Sequence, residues 1–527
     1  MDSKAIYYMI YSDFSVFKLV IDQIRSSVDI ENPPKNKFHV VVIPRVTYLF
    51  EKELEEYGLF HTCVKLHSYQ WLPIHIDTGI LSLEIPFCFR SLFINQDLNY
   101  LPMFSKCLWQ LLLVVGKVDF ILALGQYSNG ILSQLDTLWE ESGYSDKLDS
   151  DIGGLILMDR SLDYTSTLLT PGIYSALLKE VYKVNAGYCE SKHEDCPPVD
   201  SKFNPNIKIN PVVINLNSEQ DQIYASIKNK YFTEVTSVLS SLTKELKKEK
   251  LNSKEMSVDE IKKYVQTQLG ATNSRKKNIA NHLIAAETIV NVLGWRFENL
   301  SEIELNIINN ASKSSNLEFL MELMCIENNE LVSLRLFCLL LVTQELSENE
   351  INQFWGKFLH HFGYKYGYVL QNLTNAGMIS DSRTTINKFG NIKIPKFSSK
   401  QFYSVANRLK QIPSHKIDYQ HPTCPSYVFR GAYIPLITQI SSMVLNSMPL
   451  EEIKSKLEDI GSLIIRNERG YPLQKRTLLV FVIGGVTYAE IGALNFIEDL
   501  TGVKVIVLSD QIISGNDLME NFLELAK

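Results

Sequence analysis

The sequence predicts an α/β fold that is interrupted by a long, all-α insertion. Near the end of the chain, residues 478–509 follow the pattern of a strand, a glycine turn, a helix and a second strand, and such a βαβ unit requires a parallel sheet. Two further apolar strand segments lie far upstream, at 118–124 and 153–158, whereas residues 217–378 have helical periodicity. We therefore expect one parallel sheet assembled from two distant segments, with a helical insertion between them.

The closing βαβ unit is marked by local signals at each boundary. Residues 478–483 are continuously apolar, as expected for a strand that is covered on both faces. Gly484 and Gly485 allow a sharp turn. Thr487, with Glu490 three residues later, predicts a capping box at the start of the helix. A glycine ends this helix and a second apolar run follows, which completes the unit.

The first part of the chain alternates strand and helix patterns, which indicates a smaller α/β domain. The predicted elements are a strand at 5–10, a helix at 13–25, a strand at 38–43 and a helix at 47–57. Residues 71–86 are irregular and bounded by prolines, and we interpret them as the connection out of this domain. The domain is accordingly placed at residues 1–90.

The upstream half of the split sheet begins after an apolar helix at 99–115 and ends in a charged turn formed by Asp159, Arg160 and Asp163. One interpretation is an acid–base set, because the active sites of α/β proteins lie at the carboxyl ends of strands. The other is a local cluster of ion pairs and caps that fixes the turn. Arg160 lies between two carboxylates and would neutralise them, which favours the second interpretation.

The insertion opens with two helices that we expect to form an antiparallel hairpin at 217–270. Apolar residues at steps of three and four predict a first helix of about 45 Å over residues 218–246, and a basic break and a second capped helix follow. Further helices are predicted at 275–293, 317–326, 330–342, 348–360 and 364–376, with a polar strand or loop at 389–396 and a strand and helix at 426–447.

The predicted hairpin combines an apolar seam with a lysine-rich face. The lysines are Lys228, Lys230, Lys244, Lys247, Lys248, Lys250, Lys262 and Lys263. One interpretation is a solvated helix pair that packs on its own domain. The other is a platform that offers its seam to the helices of a partner. The sequence pattern favours neither interpretation over the other.

The composition limits the classes of partner. A length of 527 residues suggests about three domains. The net charge of -7 argues against a strong general affinity for nucleic acid or anionic membranes. The longest apolar runs are shorter than the ~20 residues of a membrane span. The first residues lack a signal-peptide pattern and the eight cysteines lack paired spacing, so we expect a cytosolic chain with reduced thiols.

Two motifs raise the possibility of bound groups. The turn and helix start at 484–487 would suit an anion, and a nucleotide-binding α/β protein is therefore the alternative function. However, the chain contains no phosphate-loop, dinucleotide, G-x-S-x-G or H-E-x-x-H motif. We predict neither a cofactor nor an enzyme.

A cysteine and histidine cluster is the second of these motifs. Cys189, His193 and Cys196 would form a zinc site if His421 or Cys424 supplied a fourth ligand. The cluster lacks a C-x-x-C pair, and we interpret it as a surface loop with no metal.

Several stretches, in co-linear order over nearly the whole chain, resemble the SM family, the clasp-shaped chaperones of SNARE-driven membrane fusion. They are FVIGGVTYAEI (481–491), LILMDRSLDY (155–164), VVVIPRVTYLFEKELEEYG (40–58), DTGILSLE (77–84) and LVSLRLFCLLLV (331–342). The hairpin segment 216–240 and FGYKYGYVLQNLTNAGMI (362–379) are similar to the branch of the family that serves in the HOPS and CORVET tethering complexes.

The resemblance implies a three-domain arch without catalytic activity. Domain 1 would be an N-terminally shortened α/β domain at 1–90. Domain 2 would hold the split sheet at 91–185 and 467–527, and domain 3 the helical insertion at 186–466, with the hairpin at about 217–270 and the remainder at about 275–466. The implied partners are SNARE proteins and a tether subunit like vacuolar protein sorting-associated protein 16. The implied location is cytoplasmic, peripheral on endosomes, lysosomes or the vacuole.

The resemblance also assigns candidate residues. The SNARE-binding candidates are Lys228, Tyr231, Phe232, Val235, Val238, Leu239 and Tyr264, and the tether-binding candidates are Tyr364, Tyr366 and Tyr368. Asp159, Arg160, Asp163, Gly484, Gly485, Thr487 and Glu490 are expected to be structural motifs of domain 2. A scaffold that binds its tether subunit but no SNARE is a further alternative.

Overall fold

The fold was analysed in a computed structural model, which describes residues 5–28, 37–43, 46–69, 72–143, 150–190, 212–252, 269–326, 329–344, 346–379, 399–414, 417–467 and 470–523. The strands of this part are β1 (Ile6–Tyr11), β2 (Phe38–Ile43), β3 (Val64–Ser68), β4 (Ile74–Asp77), β5 (Ile80–Ser82), β6 (Phe120–Leu124), β7 (Gly154–Asp159), β8 (Val184–Asn185), β9 (Tyr188–Glu190), β10 (Val213–Asn215), β11 (Leu463–Asn467), β12 (Thr477–Ile483) and β13 (Lys504–Ser509).

The α-helices of the described chain are α1 (Phe14–Ser27), α2 (Tyr48–Glu56), α3 (Leu101–Val115), α4 (Gln126–Ser142), α5 (Thr165–Leu168), α6 (Tyr174–Val181), α7 (Gln222–Ile227), α8 (Phe232–Asn252), α9 (Leu269–Ile308), α10 (Lys313–Met324), α11 (Glu330–Thr343), α12 (Glu348–Phe362), α13 (Val369–Asn375), α14 (Ser399–Arg408), α15 (Leu436–Leu445), α16 (Leu450–Leu457), α17 (Tyr488–Thr501) and α18 (Gly515–Leu523).

The N-terminal part forms a separate three-stranded parallel sheet in the order β1-β2-β3. Asp13 accepts hydrogen bonds from the backbone N–H groups of Ser15 and Val16 and so caps α1. The rings of Phe17 on α1 and Phe50 on α2 pack together in the core of this unit, with centroids 4.3 Å apart. The predicted strands and helices of this region are confirmed, and β3 is an additional strand.

The larger sheet has seven strands in the order β11-β6-β7-β12-β13-β5-β4. Its four central strands, β6, β7, β12 and β13, are parallel and are the four that the sequence predicts. Leu478 of β12 lies opposite Gly154 of β7, so the two distant segments pair directly. The residues of both strands are almost fully buried, which explains their continuous apolar pattern.

The sheet is mixed, however, and the expectation of a purely parallel sheet is wrong at its edges. Strands β11 and β4 pair in antiparallel fashion with β6 and β5. Strands β4 and β5 come from 74–82, which the sequence analysis assigned to the first domain, and β5 pairs with β13 through Ile80 and Val507. They were missed because both are very short and a turn at Thr78 and Gly79 interrupts any periodic pattern.

Helix α3 lies against the central sheet. The ring of Phe104 packs edge-on against Phe481 of β12, and Leu101, Leu108 and Leu112 are buried beside it. By length and composition alone, residues 98–115 would suffice to cross a membrane. About 33% of this stretch is buried, and its buried apolar face packs on the sheet.

The first predicted helix of the insertion is broken in two, which corrects the expectation of one long helix. Asp221 caps the short helix α7 through hydrogen bonds from the N–H groups of Ile223 and Tyr224. Residues 228–231 then leave the helix, and Phe232 starts α8 by donating its N–H to the carbonyl of Gly172. The break arises because this turn pairs with the chain just before α6, a long-range contact that periodicity does not reveal.

Helix α9 packs along α8 and is kinked at Gly294, where φ is +49° and ψ is −145°. The predicted helix at 275–293 is confirmed up to this kink, and the helical stretch after it was missed. The buried His282 on α9 is hydrogen-bonded to the Tyr174 hydroxyl at 2.8 Å and to Asp221 at 3.1 Å, which ties α9 to α6 and α7. Most of the predicted second hairpin helix lies outside the described residues, as does 389–396.

From Lys313 to Asn375 the described residues are mainly helical, as predicted, whereas the helices at Ser399–Arg408 and Leu450–Leu457 were not predicted. Helices α10, α11, α12 and α13 correspond to the predicted segments, with a short 3-10 turn at Tyr364–Tyr366 before α13. The expected strand near residue 426 is instead a 3-10 turn at Pro425–Phe429, followed by α15. Its short apolar run reflects burial of the turn, since the consecutive residues Tyr427, Val428 and Phe429 are all buried.

Candidate functional site

The apolar seam of α8 is mainly a packing surface. Val235 and Leu239 are fully buried in the core, whereas Phe232 and Val238 are half-buried at the two margins of the seam. The expectation that Val235 and Leu239 face a partner is therefore wrong. Helical periodicity identifies a buried stripe but does not indicate whether the neighbour that buries it belongs to the same chain.

The other hairpin candidates have separate environments. The Lys228 Nζ lies 2.7 Å from Oδ2 of the buried Asp77, so this lysine joins the hairpin to the sheet and does not flank a binding surface. Tyr231 is half-buried and its ring stacks on Tyr419 with centroids 4.1 Å apart. Tyr264 lies outside the described residues.

A cleft of about 550 Å³ opens beside Phe232, where Gly294 breaks α9. Most of its wall is apolar and aromatic. Lining residues include Tyr231, Phe232, Val290, Leu293, Phe297 and Tyr419. The residues contributed by α9 were not predicted from the sequence, although a glycine inside a helical pattern was an available signal. The structure thus brings two predicted candidates, Tyr231 and Phe232, to the mouth of one pocket.

Charged side chains lie at the floor and at the rim of this cleft. The Arg430 guanidinium lies over the Phe297 ring at 4.3 Å and is 3.6 Å from Glu304. Burial raises the pKa of Glu304 and lowers that of Arg430, and the attraction between the two groups opposes both shifts. Glu298 and Glu302 are exposed at the rim. The cleft can therefore receive an apolar side chain that is flanked by basic residues.

The charged turn after β7 is buried and serves the fold. Oδ2 of Asp159 accepts a hydrogen bond from the Tyr127 N–H, and Oδ1 accepts from the N–H and hydroxyl of Ser128, which caps α4. Burial raises the pKa of Asp159 to about 6, although these hydrogen bonds oppose the shift. Asp163 accepts hydrogen bonds from Ser166 and from the Leu436 N–H. Both carboxylates are occupied by capping.

Arg160 does not neutralise its two neighbours, which corrects one part of the sequence interpretation. Its Nη2 lies 2.6 Å from Oε1 of Glu490, and both side chains are fully buried. Glu490 also forms the predicted capping box with Thr487 through its other oxygen. Burial raises the pKa of Glu490 to about 7, against the effect of Arg160. One carboxylate therefore joins β7 to the helix of the closing βαβ unit.

The glycine turn has no free amide groups to offer an anion. Oδ1 of the buried Asp510 accepts hydrogen bonds from the N–H groups of Gly484 at 2.7 Å and Gly485 at 3.0 Å. Both glycines have φ near +95°, a conformation that other residues rarely adopt. The turn is therefore built around a carboxylate of the protein itself, which argues against the nucleotide-binding alternative.

The three tyrosines expected at the tether-binding site differ in exposure. Tyr364 is 80% exposed. Tyr366 is half-buried with its ring 5.9 Å from that of Phe358, and the Tyr368 hydroxyl donates a hydrogen bond to the Leu523 carbonyl of α18. Tyr364 alone among the three presents most of its ring to solvent.

The proposed zinc ligands cannot be assembled from the described residues. Cys189 is buried in β9, and Cys424 accepts a hydrogen bond from the Ser426 hydroxyl. His193 and Cys196 lie outside the described residues. Within the part of the chain that the structure describes, no three histidine, cysteine or acidic side chains form a metal-binding group.

Comparison with known proteins gives a consistent result. A profile of the Sec1 family matches residues 1–521. Vacuolar protein sorting-associated protein 33B of Danio rerio is 24% identical over 93% of the chain and 82% of its own length, and protein 33A of Rattus norvegicus is 24% identical over 99% and 87%. The structure of the SM protein Vps45 in complex with the Qa SNARE Tlg2 matches with a TM-score of 0.62 at 15% identity, covering 99% of this chain and 94% of that chain, and so shares its fold.

Proposed function

The chain belongs to the Sec1 family, the SM family that its motifs resemble, and from this premise we propose that it binds SNARE helices and aligns them for vesicle docking and fusion. The observation that carries the proposal is the cleft beside Phe232, at the root of α8 and α9. It offers an apolar anchor site with an acidic rim, which fits an amphipathic helix with basic flanks. The similarity to an SM protein solved with a Qa SNARE supports the same class of partner.

The proposed mechanism is positional and involves no catalysis. Holding two SNARE helices in register reduces the entropic cost of bringing them together before they zipper. The margins of α8, with Phe232 and Val238, would supply apolar contacts, while Val235 and Leu239 hold the helix on its own domain. Tyr264, which lies outside the described residues, stays a candidate.

We also propose the three-domain arch, with residues 74–82 moved from domain 1 to the sheet of domain 2. In this arrangement the helical insertion presents the SNARE-binding cleft. The chain would act as a subunit of a HOPS- or CORVET-type tethering complex, in the cytoplasm and peripheral on endosomes, lysosomes or the vacuole. Similarity to vacuolar protein sorting-associated proteins 33A and 33B supports this assignment.

Val290→Asp tests the SNARE-binding cleft. Val290 lines the cleft and is 53% exposed, so the substitution should leave the thermal unfolding midpoint unchanged. Loss of an apolar contact and the added charge should weaken binding of an isolated endolysosomal SNARE motif by about tenfold or more in calorimetry. Val114→Asp is the matched control, because Val114 is 84% exposed on α3. Equal affinities for both variants, or no binding by the unmodified chain, would contradict the proposal.

Tyr364→Asp tests the tether-binding site. Because an exposed aromatic side chain is a typical interface anchor, we expect the variant to lose co-purification with the subunit like vacuolar protein sorting-associated protein 16. SNARE binding should be retained. Tyr48→Asp on α2, where the tyrosine is 72% exposed, controls for the change in chemistry. Retention of the tether subunit by the Tyr364 variant would exclude this residue. If the unmodified chain bound the tether subunit but no SNARE, it would be a scaffold.

A further inference from the structure

A second pocket, of about 420 Å³, lies next to the cleft beside Phe232. The stacked rings of Tyr231 and Tyr419 line both cavities, so this pair is their shared wall. Phe496 and Leu500, near the end of α17, also line the second pocket. The pocket therefore lies between the helical insertion and the closing βαβ unit.

Aromatic rings form much of the lining of this second pocket. Tyr427 is buried, its hydroxyl donates to the Asn229 carbonyl at 3.0 Å, and its ring lies 5.7 Å from that of Phe496. The Tyr419 hydroxyl donates to the Arg430 carbonyl at 3.1 Å. Because both hydroxyl groups are bonded to the backbone, these tyrosines offer a ligand mainly the π surfaces of their rings.

Two carboxylates in the lining have no basic partner. Within the described part of the chain, Glu234 on α8 and Asp499 on α17 form no ion pair, whereas the adjacent Glu498 pairs with a lysine 2.9 Å away. Burial, together with the charge of Asp499, raises the pKa of Tyr427, so this carboxylate lies near the aromatic rings. Lys230 also lines the pocket and is exposed, and the lining keeps an excess of negative charge.

Aromatic surfaces beside unpaired carboxylates are favourable surroundings for a guanidinium group. A guanidinium stacks on tyrosine rings, and its planar N–H groups donate in pairs to a carboxylate. The aliphatic stem of an arginine can lie on Phe496 and on Leu500, which is 67% exposed. An ammonium group lacks the planar surface and the paired donors, and a neutral side chain would leave both carboxylates without a partner. Arginine is therefore the side chain that best fits this pocket.

We propose that the helix held in the cleft places an arginine in this second pocket, across the shared wall of Tyr231 and Tyr419. The choice of partner rests on the proposed function, because the helix is the SNARE helix that the cleft binds. An apolar anchor on one side of the wall and a charged anchor on the other fix the direction and register of the helix. The second pocket thereby selects SNARE helices that carry an arginine close to their apolar anchor.

The test is calorimetry of the full chain with a synthetic, arginine-containing endolysosomal SNARE motif. Each arginine of the motif is replaced in turn by citrulline, which has nearly the same shape and no charge. We expect one of these replacements to weaken binding by about tenfold or more, and lysine at that position to restore only part of the loss. Glu234→Gln combined with Asp499→Asn should weaken binding of the unmodified motif by a similar factor. In this double variant the same citrulline should have little further effect, because its partners are already absent.

Glu140→Gln combined with Glu141→Gln is the matched control, because it removes the same charge from two exposed residues of α4 and should leave the affinity unchanged. An equal loss in this control would assign the effect to net charge and overturn the second pocket. Unchanged affinity in the variant of Glu234 and Asp499, or a citrulline effect that simply adds to it, would do the same. If Val290→Asp still weakens binding in that case, the cleft stands without the second pocket. An unmodified chain that binds no such motif would overturn the proposed function and the second pocket together.

Discussion

At mildly alkaline pH, Glu490→Leu should lower the free energy of unfolding by about 3–5 kcal/mol. The loss arises because Arg160 would keep its charge in a fully buried site without the carboxylate that lies 2.6 Å away. The Nε and Nη1 groups of Arg160 have no hydrogen-bond acceptor among the described residues. The substitution also removes the capping box with Thr487, which adds about 1 kcal/mol to the loss.

Two further variants separate the buried charge from other effects. Arg160→Met combined with Glu490→Leu should recover most of the lost stability, because no unpaired charge is left in the core. Glu452→Leu removes the exposed pair with Lys456 and should cost less than about 1 kcal/mol. Denaturant unfolding measures the free energy of unfolding of all three variants, and hydrogen exchange of β7 and β12 then locates the loss. A double variant as unstable as the single variant would show that the ion pair is not the cause.

Gly484→Ala should destabilise the closing βαβ unit by about 2–4 kcal/mol. The φ of +95° is unfavourable for alanine, and its Cβ would overlap the Phe93 ring and lie 2.8 Å from Cβ of Arg160. Both neighbours are buried and neither can move away easily. The turn around Asp510 would therefore have to distort.

Gly502→Ala is the matched control for this prediction. Gly502 also has a positive φ, +66°, but a Cβ there would meet no atom within 4 Å. Its cost should be limited to about 1 kcal/mol of backbone strain. Comparing the thermal unfolding midpoints of the two variants separates the effect of steric overlap from that of backbone conformation alone. Equal shifts in the unfolding midpoint would mean that the overlap at Gly484 is relieved without cost.

The parts of the fold that local sequence determines were predictable. Continuous apolar runs identified the four central strands, and the spacing of Thr487 and Glu490 identified a capping box that the structure contains. The partner of Arg160 was not predictable in the same way, because Glu490 lies far along the chain and an adjacent aspartate was the nearer choice. Local pattern gives the chemistry of a residue but not its distant neighbours.

The candidate site shows the same limit. Helical spacing located the apolar residues of α8, yet burial by α9 and by the core decided that Val235 and Leu239 are internal. The cleft exists because a helix is broken at Gly294 and an arginine from the chain near residue 430 closes its floor. These contacts bring together three separate parts of the insertion, and no periodicity within one of them predicts the pocket.

The direct pairing of β7 with β12 has a consequence during protein synthesis. About 320 residues separate the end of β7 at Asp159 from the start of β12 at Thr477. At typical elongation rates of about 5–20 residues per second, the ribosome needs about 15–60 s to make the missing partner. During that time a buried, apolar strand of the final sheet waits with an open edge. We therefore expect the nascent chain to depend on general chaperones during this interval.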